Sequence, residues 1–507
     1  MGQGLRLMFV GASGTVPGSH YVVSEGNNHY ALDMGGIPQR NSVLENKISS
    51  VYPLPFNLKA VIATHGHFDH IGKLPKFIEE YGFRGPIYGT LPTLELLKQY
   101  MGKKAKFDRM TPILKNVVGG DIGIEEKQFL ELEPRNPDTY DDALFLPSEL
   151  RVENIKEWFD QGVPSSFSDM CNPINFHKHV PLTENLNFEL LKASHIIGSS
   201  QVLLNYKGEK GINRILFTGD IGYQNCFFGE PEIPDSIDSL VFDSTNCDKD
   251  FDSDYDPREE IKQIINKTIN RGGQAYFAAF TVNRMQMIMN FIKDLHDKKE
   301  IPDVPYFVDS PTGSKLFELY KNHSEFLEGV DDASFIINER YRIGKSSRKS
   351  KAIVKKSFPY VVISASGMFT EGRILNYLTK KGENRGIEDE RNSVVICGYQ
   401  AEEVGRTILS AKDSNEKVKV KITKGRGRNW SSNFYDVNAE VHELKNLSGH
   451  MYRDQAYDWI QKVNPKNLFL VHADHKTRKS FKDYLVERAF SGDNIYLPHY
   501  YSFHDIK

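Results

Sequence analysis

Hydrophobic and polar positions alternate in two styles along the chain. Over the first 35 residues the style is β: Leu5-Arg6-Leu7-Met8-Phe9-Val10 leads into a Gly-rich turn. Strands around Tyr21–Val23 and His29–Leu32 flank Glu25-Gly26-Asn27-Asn28, which has hairpin chemistry. The apolar run Leu58–Thr64 reads as a buried strand, followed by helical patterns over 71–80 and 92–103, the second opening on Pro92. Strands resume at Asn187–Lys192 and Gln201–Tyr206, and two more, Arg214–Phe217 and Ser239–Phe242, run into Asp220 and Asp243. Between these blocks, 125–165 is acidic and turn-rich, a surface insertion with some helix at 149–160. From about 256 the style changes. Helices at Pro257–Asn270, Asn283–Asp297 and Lys315–Lys321 alternate with strands at Gln274–Ala279, Pro305–Asp309, Tyr360–Ser364 and Ser393–Gly398. That alternation predicts a mainly parallel sheet. The final stretch returns to the first style, with a helix over Asp454–Val463 and a strand Asn467–Val471 running into His472.

One apolar run stands apart by the residues at its end. Leu58–Thr64 opens directly into His65-Gly66-His67-Phe68-Asp69-His70. Loops at strand ends are where a rigid scaffold presents its chemistry. His65 and His67 lie two apart and can converge on one ion, while Asp69 and His70 point towards a second. Imidazole with carboxylate, and no nearby thiolate, suits zinc or manganese used for hydrolysis. A two-metal hydrolase needs about seven ligands, with one carboxylate bridging ions about 3.5–4 Å apart. The cluster supplies four, and His195, Asp220 and His472, each just past an apolar β-run, fit the remaining count. Asp33 and Asp243 end strands in the same way, whereas His450 sits in the polar turn Ser448-Gly449-His450. Gly11–Gly18 is followed by a strand and not a helix, so it fails the context test for a dinucleotide loop.

Length and composition change this picture little. At 507 residues the chain has room for two or three domains. A hydrophobic content of 39 % and a charged content of 26 % are ordinary for a globular protein. No apolar stretch approaches a membrane span and no leader pattern opens the chain, so a cytoplasmic protein is expected. The four Cys lack CxxC spacing, which argues against a disulfide framework or a thiolate zinc site. A net charge of −3 argues against nucleic-acid binding through overall charge, but two basic runs contain no acid. One, 340–356, includes Arg348, Lys349 and Lys351; the other, 417–428, includes Lys417, Lys419, Lys421, Lys424, Arg426 and Arg428. Lys417, Lys419 and Lys421 alternate with Val418 and Val420, so one face of a strand would be basic.

These residues carry a family resemblance. His65–His70, Asp33, His195 in Ser-His-Ile-Ile-Gly-Ser and Asp220 in Phe-Thr-Gly-Asp together resemble the metallo-β-lactamase fold. Arg271–Phe280 with Asn283-Arg284-Met285-Gln286, Ser364-Ala365-Ser366-Gly367-Met368, Ser448-Gly449-His450 and Val471-His472 narrow this to its β-CASP branch. The chain is similar to the 3′-end-processing endonuclease and ribonuclease J, with the motifs in the expected order over nearly its whole length. The resemblance implies an α/β fold: a metallo-β-lactamase αββα sandwich from 1–240 and 430–507, with an α/β β-CASP domain inserted at 245–428.

The resemblance also implies roles. His65, His67 and His195 would hold one zinc, Asp69, His70 and His472 the second, with Asp220 bridging; Mn2+ would fit the same ligands. Asp33 would orient a ligand by hydrogen bond. The implied reaction is hydrolysis of RNA phosphodiester bonds by a hydroxide activated between two Zn2+. His450, held charged by Asp243, would be general acid, leaving 5′-phosphate and 3′-hydroxyl ends, so Asp69, Asp243 and His450 form the catalytic set. Histidine at 472 goes with RNA-processing members, an aliphatic residue with DNA-processing ones. Ser364, Ser366 and Gly367 offer donors for a phosphate, and Arg348, Lys349 and Lys351 are further RNA contacts.

Three departures matter. Asp243 stands where many relatives carry Glu, Ser244-Thr245-Asn246-Cys247 lacks the usual Tyr-Gly, and the acidic 125–165 segment lengthens the spacer before His195. No C-terminal domain like that of ribonuclease J and no N-terminal KH module are seen, so dimerisation by that route is not expected. A homodimer or a processing-complex partner stays open, as does endonucleolytic against 5′-exonucleolytic cleavage. A DNA nuclease is disfavoured by His472, and a non-catalytic RNA-binding subunit by the complete ligand set. Thioesterases and lactonases lack the inserted domain and the His450 motif.

Overall fold

The computed structural model describes residues 4–36, 58–81, 83–101, 167–223, 227–328, 341–343, 346–370, 372–400, 403–414, 416–426 and 429–506. The expected insertion at 125–165, with its helix at 149–160, lies outside the described residues. The chain forms two compact units, Met1–Asp250 with Gly449–Lys507, and Phe251–Ser448.

Strands β1 (Leu5–Phe9), β2 (Tyr21–Glu25), β3 (Asn28–Leu32), β4 (Leu58–Ile62), β5 (Ile87–Gly89) and β6 (Cys171–Pro173) open the first unit. β7 (Val180–Pro181), β8 (Leu186–Lys192), β9 (Ser200–Gly208), β10 (Gly211–Phe217) and β11 (Ser239–Asp243) come next. The second unit holds β12 (Ala275–Ala278), β13 (Tyr306–Asp309), β14 (Tyr341–Ile343), β15 (Val361–Ser364), β16 (Ser393–Ile396), β17 (Lys419–Arg426), β18 (Asn429–Asp436) and β19 (Glu440–Glu443). Finally β20 (Asn467–Val471), β21 (Ile495–Tyr496) and β22 (Ser502–Ile506) return to the first.

The first unit is built on two seven-stranded sheets, ordered β22-β1-β2-β3-β4-β5-β6 and β21-β20-β11-β10-β9-β8-β7. Period-two alternation decides which side chain enters which layer. Leu5, Leu7 and Phe9 from one sheet meet Val202, Leu204, Val241, Phe469 and Val471 from the other in one core. The intervening Leu240, Phe242, Leu468 and Leu470 face outward and are covered by Trp459 and Ile460 of helix Arg453–Val463 and Phe481 of helix His475–Glu487. On the other side, Ala31 and Val61 pack under Leu74, Ile78, Leu94 and Leu97 from helices Leu74–Tyr81 and Leu91–Met101. The result is an αββα sandwich.

The second unit carries a six-stranded sheet, β14-β13-β15-β12-β16-β19, parallel throughout, plus the antiparallel ribbon β17–β18. Its helix Pro257–Asn270 buries Ile261, Ile264, Ile265 and Thr268, one face at helical spacing, and starts on Pro257 with Asp256 accepting from Arg258 N. Helix Pro311–Asn322 begins earlier than the expected 315, because Ser310 caps it and Pro311 fits the first turn. The chain re-enters the first unit at Gly449 and not at 430. β18 pairs with β17, and β19 joins β16 at the edge of the parallel sheet, so both stay in the second unit.

Candidate metal centre and its histidine–carboxylate pair

Every residue of the centre belongs to the first unit and most lie just past a strand. Asp33 follows β3, His65 follows β4, His195 lies beyond β8, Asp220 beyond β10, Asp243 ends β11, and His472 follows β20. Strand ladders continue into these loops: Thr218 N bonds Val241 O at 3.0 Å, and Ser244 N bonds Val471 O at 3.0 Å. The chain turns sharply at the strand ends, with Asp33, Ser194 and His472 at φ of 57°, 59° and 59°. Left-handed backbone at non-glycine residues costs on the order of 1–3 kcal/mol each and persists where surrounding contacts enforce it. Asp69 and His70 ride on the single turn of helix Phe68–Ile71.

Hydrogen bonds fix which nitrogen is bare on four of the imidazoles. Asp33 accepts from Thr64 N at 2.8 Å, from Thr64 Oγ1 at 2.8 Å and from His70 Nδ1 at 2.7 Å. The Thr64 hydroxyl proton is thereby used, so Oγ1 accepts from His65 Nδ1 at 3.1 Å. His195 Nδ1 donates to the Gly449 carbonyl at 2.7 Å, a group that only accepts. Thr245 Oγ1 donates to Asp243 at 2.6 Å and stands 2.8 Å from His472 Nδ1. In their neutral forms His65, His70, His195 and His472 all carry the proton on Nδ1 and present a bare Nε2.

Those bare atoms converge around one carboxylate. His65 Nε2 and His195 Nε2 each lie 3.1 Å from His67 Nδ1. They stand 3.4 and 3.3 Å from Asp220 Oδ2. On the other side, His70 Nε2 is 2.9 Å from Asp220 Oδ1 and 3.2 Å from His472 Nε2. Asp220 Oδ1 is buried without a well-aligned hydrogen-bond donor among the described residues. Lone pairs packed this closely repel unless positive charge sits among them. His65, His67, His195 and Asp220 offer ligand atoms all within 4.8 Å of one another, and so do Asp69, His70 and His472. Nitrogen and oxygen donors without sulfur fit zinc or manganese.

The electrostatics divide the donor set: the three imidazoles on one side are held neutral, while the carboxylates beside His70 favour a proton on it that a bound cation would displace. Burial and the neighbouring imidazoles hold His65 and His67 well below the usual histidine range, and burial brings His195 down to about 4. Burial also opposes charge on His70, but Asp220 and Asp33 on its two nitrogens outweigh it and raise its pKa. Asp220 is buried yet held well below the carboxylate range by His472 and His70.

His450 and Asp243 form a pair beside this group. His450 Nδ1 is 2.7 Å from Asp243 Oδ2, so the shorter aspartate reaches without the extra methylene of Glu. His450 Nε2 stands 3.9 Å from Asp220 Oδ2, and its side chain keeps 19 % exposure while Asp243 keeps 1 %. Burial opposes protonation of His450, but Asp243 and Asp220 outweigh it and push its pKa up to about 9. Asp243, although buried, is held below the carboxylate range by His450.

Sequence reasoning singled out none of Thr64, Thr245, Gly449 and Ser199, whose Oγ accepts from His195 N at 3.0 Å. Two of the four, Thr64 and Gly449, adjoin named residues in sequence, which is the available signal. Gly449 is required by closeness: a Cβ there would stand 2.7 Å from His195 Nδ1.

The expected RNA contacts all belong to the second unit and are not alike. Arg348, Lys349 and Lys351 are exposed on helix Ser347–Val354, capped by Ser346. Ser366 is half-buried, but Ser364 is fully buried and its hydroxyl donates to Asp309 O at 2.9 Å. The Ser364 hydroxyl thus straps β15 to β13. Gly367 is buried too, and its carbonyl accepts from Gln400 Nε2 at 2.8 Å.

Comparison with known proteins places this geometry. The family model described as metallo-beta-lactamase superfamily matches residues 14–139, the Beta-Casp domain matches 285–408, and the Zn-dependent metallo-hydrolase RNA specificity domain matches 435–498. Ribonuclease TTHA0252 of Thermus thermophilus is 25 % identical over 93 % of this chain and 94 % of its own length. Transcription termination factor FttA of Methanosarcina mazei is 23 % identical over 94 % of this chain and 68 % of its own. FttA of Methanocaldococcus jannaschii is 25 % identical over 97 % and 70 %. Three matched segments in chain order, and relatives aligned along nearly the whole chain, make this protein a member of the β-CASP branch of the metallo-β-lactamase superfamily.

Proposed function

We propose that the chain is a zinc-dependent ribonuclease that hydrolyses phosphodiester bonds to leave 5′-phosphate and 3′-hydroxyl ends. The observation that carries this reading is the pairing of a bare-nitrogen cluster around Asp220 with the His450–Asp243 couple beside it. The similarity to a protein named as a ribonuclease supports RNA as the substrate class. His65, His67 and His195 would hold one zinc, Asp69, His70 and His472 a second, and Asp220 both. Zinc so held would supply Lewis acidity towards the phosphate and lower the pKa of water to near neutrality.

The chain's own residues supply the rest. Asp33 and Thr64 keep the ligating nitrogens of His65 and His70 bare, and Gly449 and Thr245 do so for His195 and His472. With His450 Nδ1 committed to Asp243, the proton on Nε2 is the one it can release. That proton goes to the leaving 3′-oxygen, which is otherwise a poor leaving group. Asp243 stays ionised, and its charge favours uptake of a proton from solvent by the neutral imidazole, which restores the charged form after each turnover. Among the described residues no helix is long and apolar enough to cross a membrane.

The test is an RNA labelled at its 5′ end, incubated with protein with and without chelator, beside the same oligonucleotide as DNA. Chelator-sensitive internal fragments are expected from an endonuclease, and immediate labelled mononucleotide from a 5′-exonuclease. Asp69→Ala and His450→Ala should each abolish cleavage while RNA binding survives. His450→Ala cleaving at the normal rate would remove it as general acid. Faster cleavage of the DNA would overturn the substrate reading.

A further inference from the structure

All of the ribbon β17–β18 but Tyr435 and Asp436 lies between the matched segments 285–408 and 435–498, so neither family model covers Lys417–Phe434. Its register sets Lys419 opposite Asp436, Lys421 opposite Phe434 and Thr423 opposite Ser432. Alternation gives the ribbon two unlike faces. Val420 and Ile422 are each 1 % exposed and join the core of the second unit, with Tyr435 packed against it. Lys424 turns the same way and bonds Thr379 Oγ1.

The opposite face is open. Lys417, Lys419, Lys421, Thr423, Ser432 and Phe434 are all exposed. Phe434, at 68 %, is the most exposed large hydrophobic side chain among the described residues. Lys421 Nζ stands 6.0 Å from the centre of its ring. Lys419 Nζ is 3.6 Å from Asp436, and the Thr423 and Ser432 hydroxyls share a bond of 2.9 Å. Three ammonium groups against one carboxylate leave this face positive on a chain whose net charge is −3.

We propose that this face docks single-stranded RNA, a base stacking on Phe434 while flanking phosphates meet Lys417, Lys419 and Lys421. The proposal rests on the ribonuclease reading and names where the strand is held. Alternate residues of a strand recur about every 6.7 Å, a repeat comparable to that of successive phosphates in an extended strand. Lysine takes phosphate as a point charge, and an aromatic ring stacks on any base, so binding here would be insensitive to sequence. A partner of protein chemistry could use the lysines, but a lone ring in a lysine row on a flat ribbon gives it no pocket.

The full chain is crosslinked, in chelator so that the strand is not cut, to an RNA carrying 4-thiouridine, and the attached peptides are mapped. Attachment within 417–436 is expected. By anisotropy of a labelled oligouridylate, Phe434→Ala should weaken binding about tenfold, the scale of one lost base stack. Changing Lys417, Lys419 and Lys421 to Gln should lower the slope of log affinity against log salt by about 2, at about 0.7 per phosphate on a single strand. Arginines at the same three positions should restore it. Unchanged melting temperatures check that these exposed substitutions leave the fold intact. Crosslinks elsewhere with unaltered affinity in both variants would overturn the ribbon, even if cleavage is normal. Strand bound at the ribbon but never cut by the metal-loaded chain would overturn the ribonuclease reading alone.

Discussion

A hydroxyl with a single proton controls much of this centre. Thr64 Oγ1 gives its proton to Asp33 and takes one from His65, so removing the hydroxyl frees the tautomer of His65 and strips Asp33 of a donor. Thr64→Val keeps the branched shape and should lower zinc affinity about 10- to 100-fold, the range for losing a partner of a ligating group. Competition against a chromogenic chelator measures it without reference to turnover. Wild-type affinity in the variant would show that the tautomers are held by other contacts. Gly449→Ala should act similarly by pressing a Cβ against His195 Nδ1. The ligand-bearing motif was legible in the sequence because His65–His70 is so compact. Thr64 and Thr245 were not: a threonine beside a histidine, as at Thr64, is common, Thr245 meets His472 only across 227 residues, and only the fold shows where each hydroxyl proton goes.

Elements place these residues, and alternation within β11 shows how. Val241 enters the core between the sheets while Leu240 and Phe242 face the helices, and Asp243 ends the strand at the centre. Phe242 is fully buried, with ring centroids 5.8 Å from Trp459 and 6.3 Å from Phe481. Phe242→Ala should destabilise the first unit by about 3–5 kcal/mol, the usual cost of emptying a core aromatic site. Denaturant melts followed by Trp459 fluorescence would report it, and a loss below about 1 kcal/mol would mean the helices collapse onto the gap. Strand identity is readable from apolar runs, and helix starts from caps such as Asp256 with Pro257. Ser310 with Pro311 is the cap that carries the next such helix back from 315 to 311. The fate of 429–443 was not readable, since a strand's partner is set by tertiary pairing and not by its own residues.

At the scale of the molecule the centre is assembled from two stretches far apart in sequence. His65 through Asp243 come from Met1–Asp250, while His450 and His472 come from Gly449–Lys507. The order of motifs announced this split, and the sandwich expected at 1–240 and 430–507 already contained every implied ligand. That placement has a thermodynamic consequence. An ion bound only by the folded form stabilises it by about 2.7 kcal/mol per site at a hundredfold excess over its dissociation constant. The stabilisation must fall on β10 and β20, which lead into Asp220 and His472, and on β11 paired between them, and not on β12, β15 and β16, which lead into no proposed ligand. Hydrogen exchange of the full chain with and without chelator separates the two. Chelation should speed exchange about 10,000-fold at the amides of 215–221, 239–244 and 468–473, as about 2.7 kcal/mol at each of two sites implies where exchange follows opening of the unit. Amides of 275–278, 361–364 and 393–396 should keep their rates. Equal acceleration in both sets would mean that the units unfold together. No change in either would mean that the convergent nitrogens around Asp220 bind no ion that matters to the fold, and the metal assignment would fall with them.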